Sequence, residues 1–310
     1  MPENLTPWIL FTLFIIAMLA VDLGLFHRKT HAVSVKEALV WSAVWIGLAL
    51  AFNVIIYYWK GEEAAFQFFT GYLIEKSLSV DNIFVFLQVF AYFGLPAMYQ
   101  HRVLFYGVLG AIVMRLIFII AGVALIAKFH WIIYVFGAFL VLTGAKMAVG
   151  GNKPVHPEKN LLLKLLSRFI PVSKDFADGK FLTKRNGVLM ATPLLAILLV
   201  IETTDVIFAV DSVPAILAIT TDPFIVYSSN IFAIMGLRSL YFAFSGIVGH
   251  FRFIHYGLAA ILTFVGIKIL ISDIYKVPTV AALAAIAAFL TLSMLASARW
   301  PKKTADKDAL

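Results

Sequence analysis

No cysteine occurs anywhere in the 310-residue chain. Its absence excludes disulfides, thiolate metal sites and a redox-active cysteine pair. Charge is scarce too: Asp, Glu, Lys and Arg together make up 14% of the residues. No nucleophile–base pair, phosphate loop or cofactor motif is present, so the chain does not read as an enzyme. Met1 to Trp8 lack the basic region of a secretory signal, and the first hydrophobic stretch is expected to be retained. What fills the chain instead is apolar. It is 62% hydrophobic, with 28 phenylalanines and a mean hydropathy of +0.95. A soluble domain is roughly half apolar. The composition therefore implies a polytopic membrane protein with the lipid bilayer as its surroundings. The net charge of +8 does not point to nucleic acid. The basic residues sit in connections and at the C-terminus, as in the cytoplasmic loops of membrane proteins.

Apolar runs of about 20 residues mark candidate spans. They fall at 8–26, 36–59, 68–94, 101–127, 129–149, 188–217, 222–246, 253–272 and 278–298, an all-α bundle of about nine spans. The strongly basic connections alternate with poorer ones. Arg28, Lys29 and Lys36 follow the first span, and Arg102 precedes the fourth. Lys153, Lys159, Lys164, Arg168, Lys174, Lys180, Lys184 and Arg185 fill 150–187. Arg252 precedes the eighth span, and Arg299, Lys302 and Lys303 follow the ninth. All lie on one side of a nine-span plan. This predicts an external N-terminus and a cytoplasmic C-terminus. Residues 1–310 read as one transmembrane domain: two N-terminal helices (8–59), a first repeat (68–149), a cytoplasmic linker (150–187), a second repeat (188–272) and a C-terminal helix (278–298). Within the linker, 161–169 reads as a basic amphipathic helix at the inner interface.

The repeat is visible in three matches at a nearly constant offset. Ser79-Val80-Asp81-Asn82-Ile83-Phe84 aligns with Thr203-Thr204-Asp205-Val206-Ile207-Phe208. Gly110 to Arg115 aligns with Ala233 to Arg238, and Leu142 to Lys146 with Phe264 to Lys268. Spans three to five thus pair with spans six to eight. By the loop charges the copies run in opposite directions, a plan common in secondary transporters with a midplane site.

Each copy opens on an acidic cluster in hydrocarbon-length helix: Glu75, Asp81 and Asn82 in the first, Glu202, Asp205 and Asp211 in the second. Ionisable groups at that depth mark ion or proton pathways, or pair with one another. Spacings of three and four put Glu75, Ser79 and Asn82 on one helix face, and Glu202 and Asp205 on another. Asp81 and Asp211 fall elsewhere on their helices. Pro214, just after Asp211, is expected to kink or break its helix and free carbonyls for a cation. Carboxylate, amide and carbonyl oxygens are hard ligands, suited to Mg²⁺, Ca²⁺ or Mn²⁺ rather than copper or zinc. Two bland readings stand beside this one. The acids could serve only to pair with Arg115, Arg238 and nearby lysines. The two arginines read first as counter-charges or gating groups, and second as an oxyanion site. Gly107 and Gly110 read as positions of close helix packing.

The runs Gly71 to Asn82 and Glu202 to Ala215 closely resemble the TerC family of bacterial membrane proteins, and within it the Alx-like branch. The resemblance covers spans one to eight. It implies a lysine-exporter-type inverted-repeat fold in the bacterial inner membrane and a link to manganese export, metalation of secreted enzymes and tellurium resistance. It also implies Mn²⁺ ligands among Glu75, Asp81, Asn82, Glu202, Asp205 and Asp211. The resulting expectation is a secondary transporter exporting Mn²⁺ as substrate, with protons as counter-ion and no organic cofactor. The alternatives are a metal-loading partner of the secretion machinery or a membrane protease, and a tellurite handler working through Arg115 and Arg238.

Overall fold

Apolar runs of membrane length favour helices because a helix satisfies its own backbone hydrogen bonds where no water can. The computed structural model follows that logic. It describes residues 5–26, 34–129, 131–150, 163, 165, 168, 170–173, 175–185, 187–244, 253–275 and 277–300. The helices are α1 (Thr6–Phe26), α2 (Val35–Lys60), α3 (Glu62–Tyr92), α4 (Ala97–Lys128), α5 (Ile132–Gly150), α6 (Pro193–Leu217), α7 (Pro223–Met235), α8 (Leu237–Phe244), α9 (Ile254–Leu270) and α10 (Thr279–Arg299). Five of them, α2, α4, α5, α6 and α10, are long and apolar enough to cross a membrane. The chain forms two units. Residues 1–33 contain α1, and residues 34–310 contain all that follows here.

Local chemistry sets several boundaries. Ser34 caps α2 by accepting from the Glu37 amide at 3.3 Å. Asp222 caps α7 by accepting from the Phe224 and Ile225 amides at 2.9 and 3.3 Å. Such caps satisfy donors that have no partner inside the helix. Pro193 and Pro223 occupy first turns, where a missing N–H costs nothing. Gly61 alone separates α2 from α3, at φ +94°, a conformation open to glycine at no steric cost.

Two expectations need correction. The sixth span does not begin at 188. Residues Val188–Ala191 form a strand, β2, paired antiparallel with β1 (Leu182–Arg185), so the described residues include a hairpin beside the helices. Val188–Ala191 are apolar but pair with the preceding basic strand, and the helix starts at Pro193. Pro214 does not break its helix either: α6 continues through it to Leu217. The proline removes one backbone bond, to the carbonyl of Val210, and the helix runs on only to Leu217 beyond it. The interruption falls instead at Gly236, between α7 and α8. The Ala233 carbonyl in the last turn of α7 accepts from Lys76 Nζ at 3.2 Å, a cation where a helix C-terminus favours one. Of the expected amphipathic linker helix, Leu163, Leu165 and Arg168 are helical. Its other residues lie outside the described set, as do 27–33, 151–162 and 245–252.

In the second unit α3 packs along α7, α6 along α4, and α5 along α9, with α3 also against α6. Exchanging α3, α4 and α5 for α6, α7–α8 and α9 swaps the first two pairs and maps the other two onto themselves. The α5–α9 crossing is backbone on backbone. A Cβ on Gly266 would stand 2.6 Å from the Gly137 carbonyl oxygen, and one on Gly144 2.7 Å from the Ala259 carbonyl oxygen. Lipid is as apolar as a leucine side chain, so helices in a membrane associate through such close van der Waals packing. Gly266→Ala is therefore expected to destabilise the protein by about 1–3 kcal/mol. Thermal unfolding in mild detergent measures this, and an unchanged midpoint would refute the close crossing.

Both ends of α3 are covered. At its start, Lys60 Nζ pairs with the Asp222 carboxylate and lies over the rings of Trp59 and Phe224 at 5.1 and 5.9 Å. At its far end, the segment before α6 lies on the start of α4. Phe176 meets Tyr99 at 5.9 Å between ring centroids, and Phe181 meets Tyr106 at 5.0 Å. The Arg102 guanidinium sits over Phe181 at 5.7 Å. Thr192 ties the hairpin down, its Oγ1 donating to the Lys180 carbonyl at 2.7 Å. Contacts thus lie beside both ends of α3, and Glu75 and Asn82 at its middle are buried.

Candidate functional site

Glu75, Arg115 and Asp205 lie near the middle of α3, α4 and α6, and helix packing turns all three inward. Arg115 is the hub and is 1% exposed. Its Nη1 pairs with Glu75 Oε1. The same nitrogen donates to Asn230 Oδ1 at 3.0 Å and to Ser212 Oγ at 3.3 Å. Its Nη2 and Nε donate to the two oxygens of Asp205 at 3.2 and 3.4 Å. That forked arrangement uses the planar geometry a guanidinium offers a carboxylate. Asn230 on α7 returns a bond to Glu75, Nδ2 to Oε2 at 3.2 Å. Asn82 on α3 donates to Asp205 Oδ1 at 3.5 Å. Glu75, Asn82, Arg115, Asp205, Ser212 and Asn230 are all buried. One atom stands apart. Asn82 Oδ1 is buried with no hydrogen-bond partner, although buried polar atoms nearly always have one.

The structure thus brings together three of the six expected ligands, Glu75, Asn82 and Asp205, and places Arg115 among them. Glu202 lies one turn before Asp205 on α6, half-buried. Its carboxylate fills the space beside Gly110, where a Cβ would come within 2.0 Å of Oε1. Gly110 therefore makes room for a carboxylate, while Gly107 opposite Ile201 serves close helix packing as expected. Arg238 is buried on α8, outside the bonds to Glu75 and Asp205. The side chains of Asp81 and Asp211 lie outside the described residues. Among the described residues, no group of three His, Asp or Glu side chains converges as a metal cluster. The two carboxylates that do converge hold the arginine.

Sequence reasoning missed two members. Asn230 belongs to Ser228-Ser229-Asn230, a polar triplet inside an apolar span, all three 0% exposed. That run of polarity was its signal. Ser212 follows Asp211 in the second acidic run. Unlike Ser79, Thr203 and Thr204, whose hydroxyls donate to carbonyls one turn back, it accepts from the guanidinium. On either side of the network the bundle is apolar. One cluster packs Phe86, Phe90, Ile197 and Ile201, and the other packs Ile74, Ala215, Leu262 and Val265.

A bundle with five apolar helices of membrane length and a paired charge network inside it has the build of a multi-pass integral membrane protein. The chain belongs to the integral membrane protein TerC family, whose model matches residues 60–305. It is 53% identical over 290 residues to "Uncharacterized membrane protein STKORF319" of Myxococcus xanthus, covering 94% of this chain and 91% of that one. It is 45% identical over 309 residues to the Escherichia coli K12 protein named "Putative membrane-bound redox modulator Alx", covering 97% and 96%. An "Uncharacterized membrane protein" of Rickettsia bellii is 41% identical over 290 residues, covering 94% and 96%. No solved structure matches the chain.

Proposed function

We propose that the protein is a secondary transporter that moves a divalent cation, Mn²⁺ foremost, out of the cytoplasm across the bacterial inner membrane in exchange for protons. The observation that carries this reading is the convergence of Glu75 and Asp205 on one buried cation, with Asn82 Oδ1 left open beside them. Carboxylate and amide oxygens are the donors a hard divalent ion takes. The exchange of packing partners between α3–α5 and α6–α9 supports two repeats built around a shared centre. The alternation of basic loops supports an external N-terminus, with the 150–187 linker and the C-terminus inside. The burial of Glu75, Arg115 and Asp205 suits an occluded step between inward- and outward-open forms.

The name carried by the Escherichia coli relative speaks of redox modulation. A chain without cysteine offers no thiol couple of its own, and we place any redox effect downstream of cation movement. The oxyanion reading gains nothing from Arg115, whose donors already face carboxylates and amide oxygens. Purified protein in inside-out proteoliposomes, given Mn²⁺, Ca²⁺ and Mg²⁺ in parallel with an internal pH dye, tests the proposal. Entry of Mn²⁺ with protons leaving is the expected result. No flux of any of the three with folded protein would overturn it.

A further inference from the structure

We propose that Arg115 is a tethered stand-in for the transported cation: its guanidinium fills the cation's own oxygen cage when the carrier is empty and leaves it when a divalent ion enters. This rests on the transporter reading above and deepens it.

The cage is defined by what the guanidinium touches. Five oxygens face it: Glu75 Oε1, both Asp205 oxygens, Ser212 Oγ and Asn230 Oδ1. They come from α3, α6 and α7, while the cation they surround is carried on α4. A set of that composition is what a hard divalent ion takes. A second observation points to a ligand other than arginine. Asn82 Oδ1, on a residue 2% exposed, has no partner, while the Nδ2 of the same amide reaches Asp205. A site built solely to hold Arg115 has no use for that oxygen, whereas a bound cation could take it as a sixth donor. A cavity with room for about one water touches Asp205 and lies beside Gly107, Val108 and Ala111, one and two turns before Arg115 on α4.

The arrangement solves a problem of the empty carrier. Two buried carboxylates without a counter-ion would cost several kcal/mol, and a carrier in that state could not close. Arg115 supplies one of the two charges that leave with the metal and an exchanged proton supplies the other, so the empty form can pass through the closed state. Ser212 and Asn230 thereby become ligands of the transported ion, and removal of Arg115 should separate binding from net movement.

The test uses the full-length protein, MnCl₂ as probe, and the variants Arg115→Gln and Arg115→Lys. Equilibrium dialysis gives affinity. Proteoliposomes give Mn²⁺–Mn²⁺ exchange and net flux into metal-free buffer. If the arginine-free form is less than a tenth of the empty population, Arg115→Gln tightens Mn²⁺ binding by about tenfold or more. Exchange is retained and net flux falls by a similar factor. Arg115→Lys keeps the charge but loses the fork, so its affinity rises by a smaller factor. Should Arg115→Gln not fold, Arg115→Lys decides alone. Wild-type or weaker affinity in the variants, with Mn²⁺ transport by the wild type intact, overturns the stand-in and leaves the transporter. A wild-type protein that binds no Mn²⁺ overturns both.

Discussion

Arg115→Leu is expected to destabilise the metal-free protein by about 3–5 kcal/mol, the cost of leaving buried charges without their partner. Glu75 and Asp205 would then keep the amides of Asn230 and Asn82 as donors but no cation. Removing a carboxylate as well should recover part of the loss. The double variant Arg115→Leu, Glu75→Gln is therefore expected to be more stable than Arg115→Leu alone. Groups within one network couple by about 0.5–3 kcal/mol. A double-mutant cycle followed by thermal unfolding in detergent gives the coupling directly. Strict additivity would mean that the arginine and the glutamate do not share one network. The cation readout belongs in the same experiment. A ligand that binds only the folded state stabilises it by mass action, and excess Mn²⁺ should raise the midpoint of Arg115→Gln more than that of the wild type. An equal rise in both would mean that the metal does not take the arginine's place.

The second large effect is on transport. Asp205 holds the forked side of the guanidinium and the Asn82 amide, and both its oxygens face the cage. Asp205→Asn keeps the shape and removes the charge. Losing one partner of a buried charged contact costs about 2–5 kcal/mol, which is thirtyfold or more in affinity. Mn²⁺ flux in proteoliposomes should fall by at least that factor at substrate levels well below saturation. The control is Asp175→Asn. Asp175 pairs with Arg185 at 3.3 Å, but the two side chains are 71% and 69% exposed. Exposed pairs of this kind are worth about 0–1 kcal/mol, so flux and stability should stay at wild-type levels. Wild-type flux in Asp205→Asn would remove Asp205 from the site.

The sequence by itself determined where the helices run, because membrane-length apolar stretches satisfy their backbone only as helices. Most of the expected spans meet observed helices within a few residues, and the acidic runs fall on α3 and α6 as read. Charge scarcity made Glu75, Asp205 and Arg115 visible at once, since each is an expensive exception in an apolar segment. The sequence was also enough to read a resemblance to the family to which the chain belongs.

The tertiary structure decided what periodicity cannot carry. Spacing put Glu75 with Asn82 and Glu202 with Asp205 on shared faces, but only the packing of α3, α4, α6 and α7 shows which acids meet. Glu75 and Asp205 reach the guanidinium, while Glu202, one turn away, packs against Gly110. Asn230 joins Glu75 across 155 positions of chain, a contact no local pattern encodes. The hairpin at 182–191 and the break at Gly236 depend on neighbours as well. Thr192 ties down the hairpin, and Lys76 takes a carbonyl in the last turn of α7. Helical period is a property of a segment of chain, whereas the partner of a buried charge is a property of how several segments pack together.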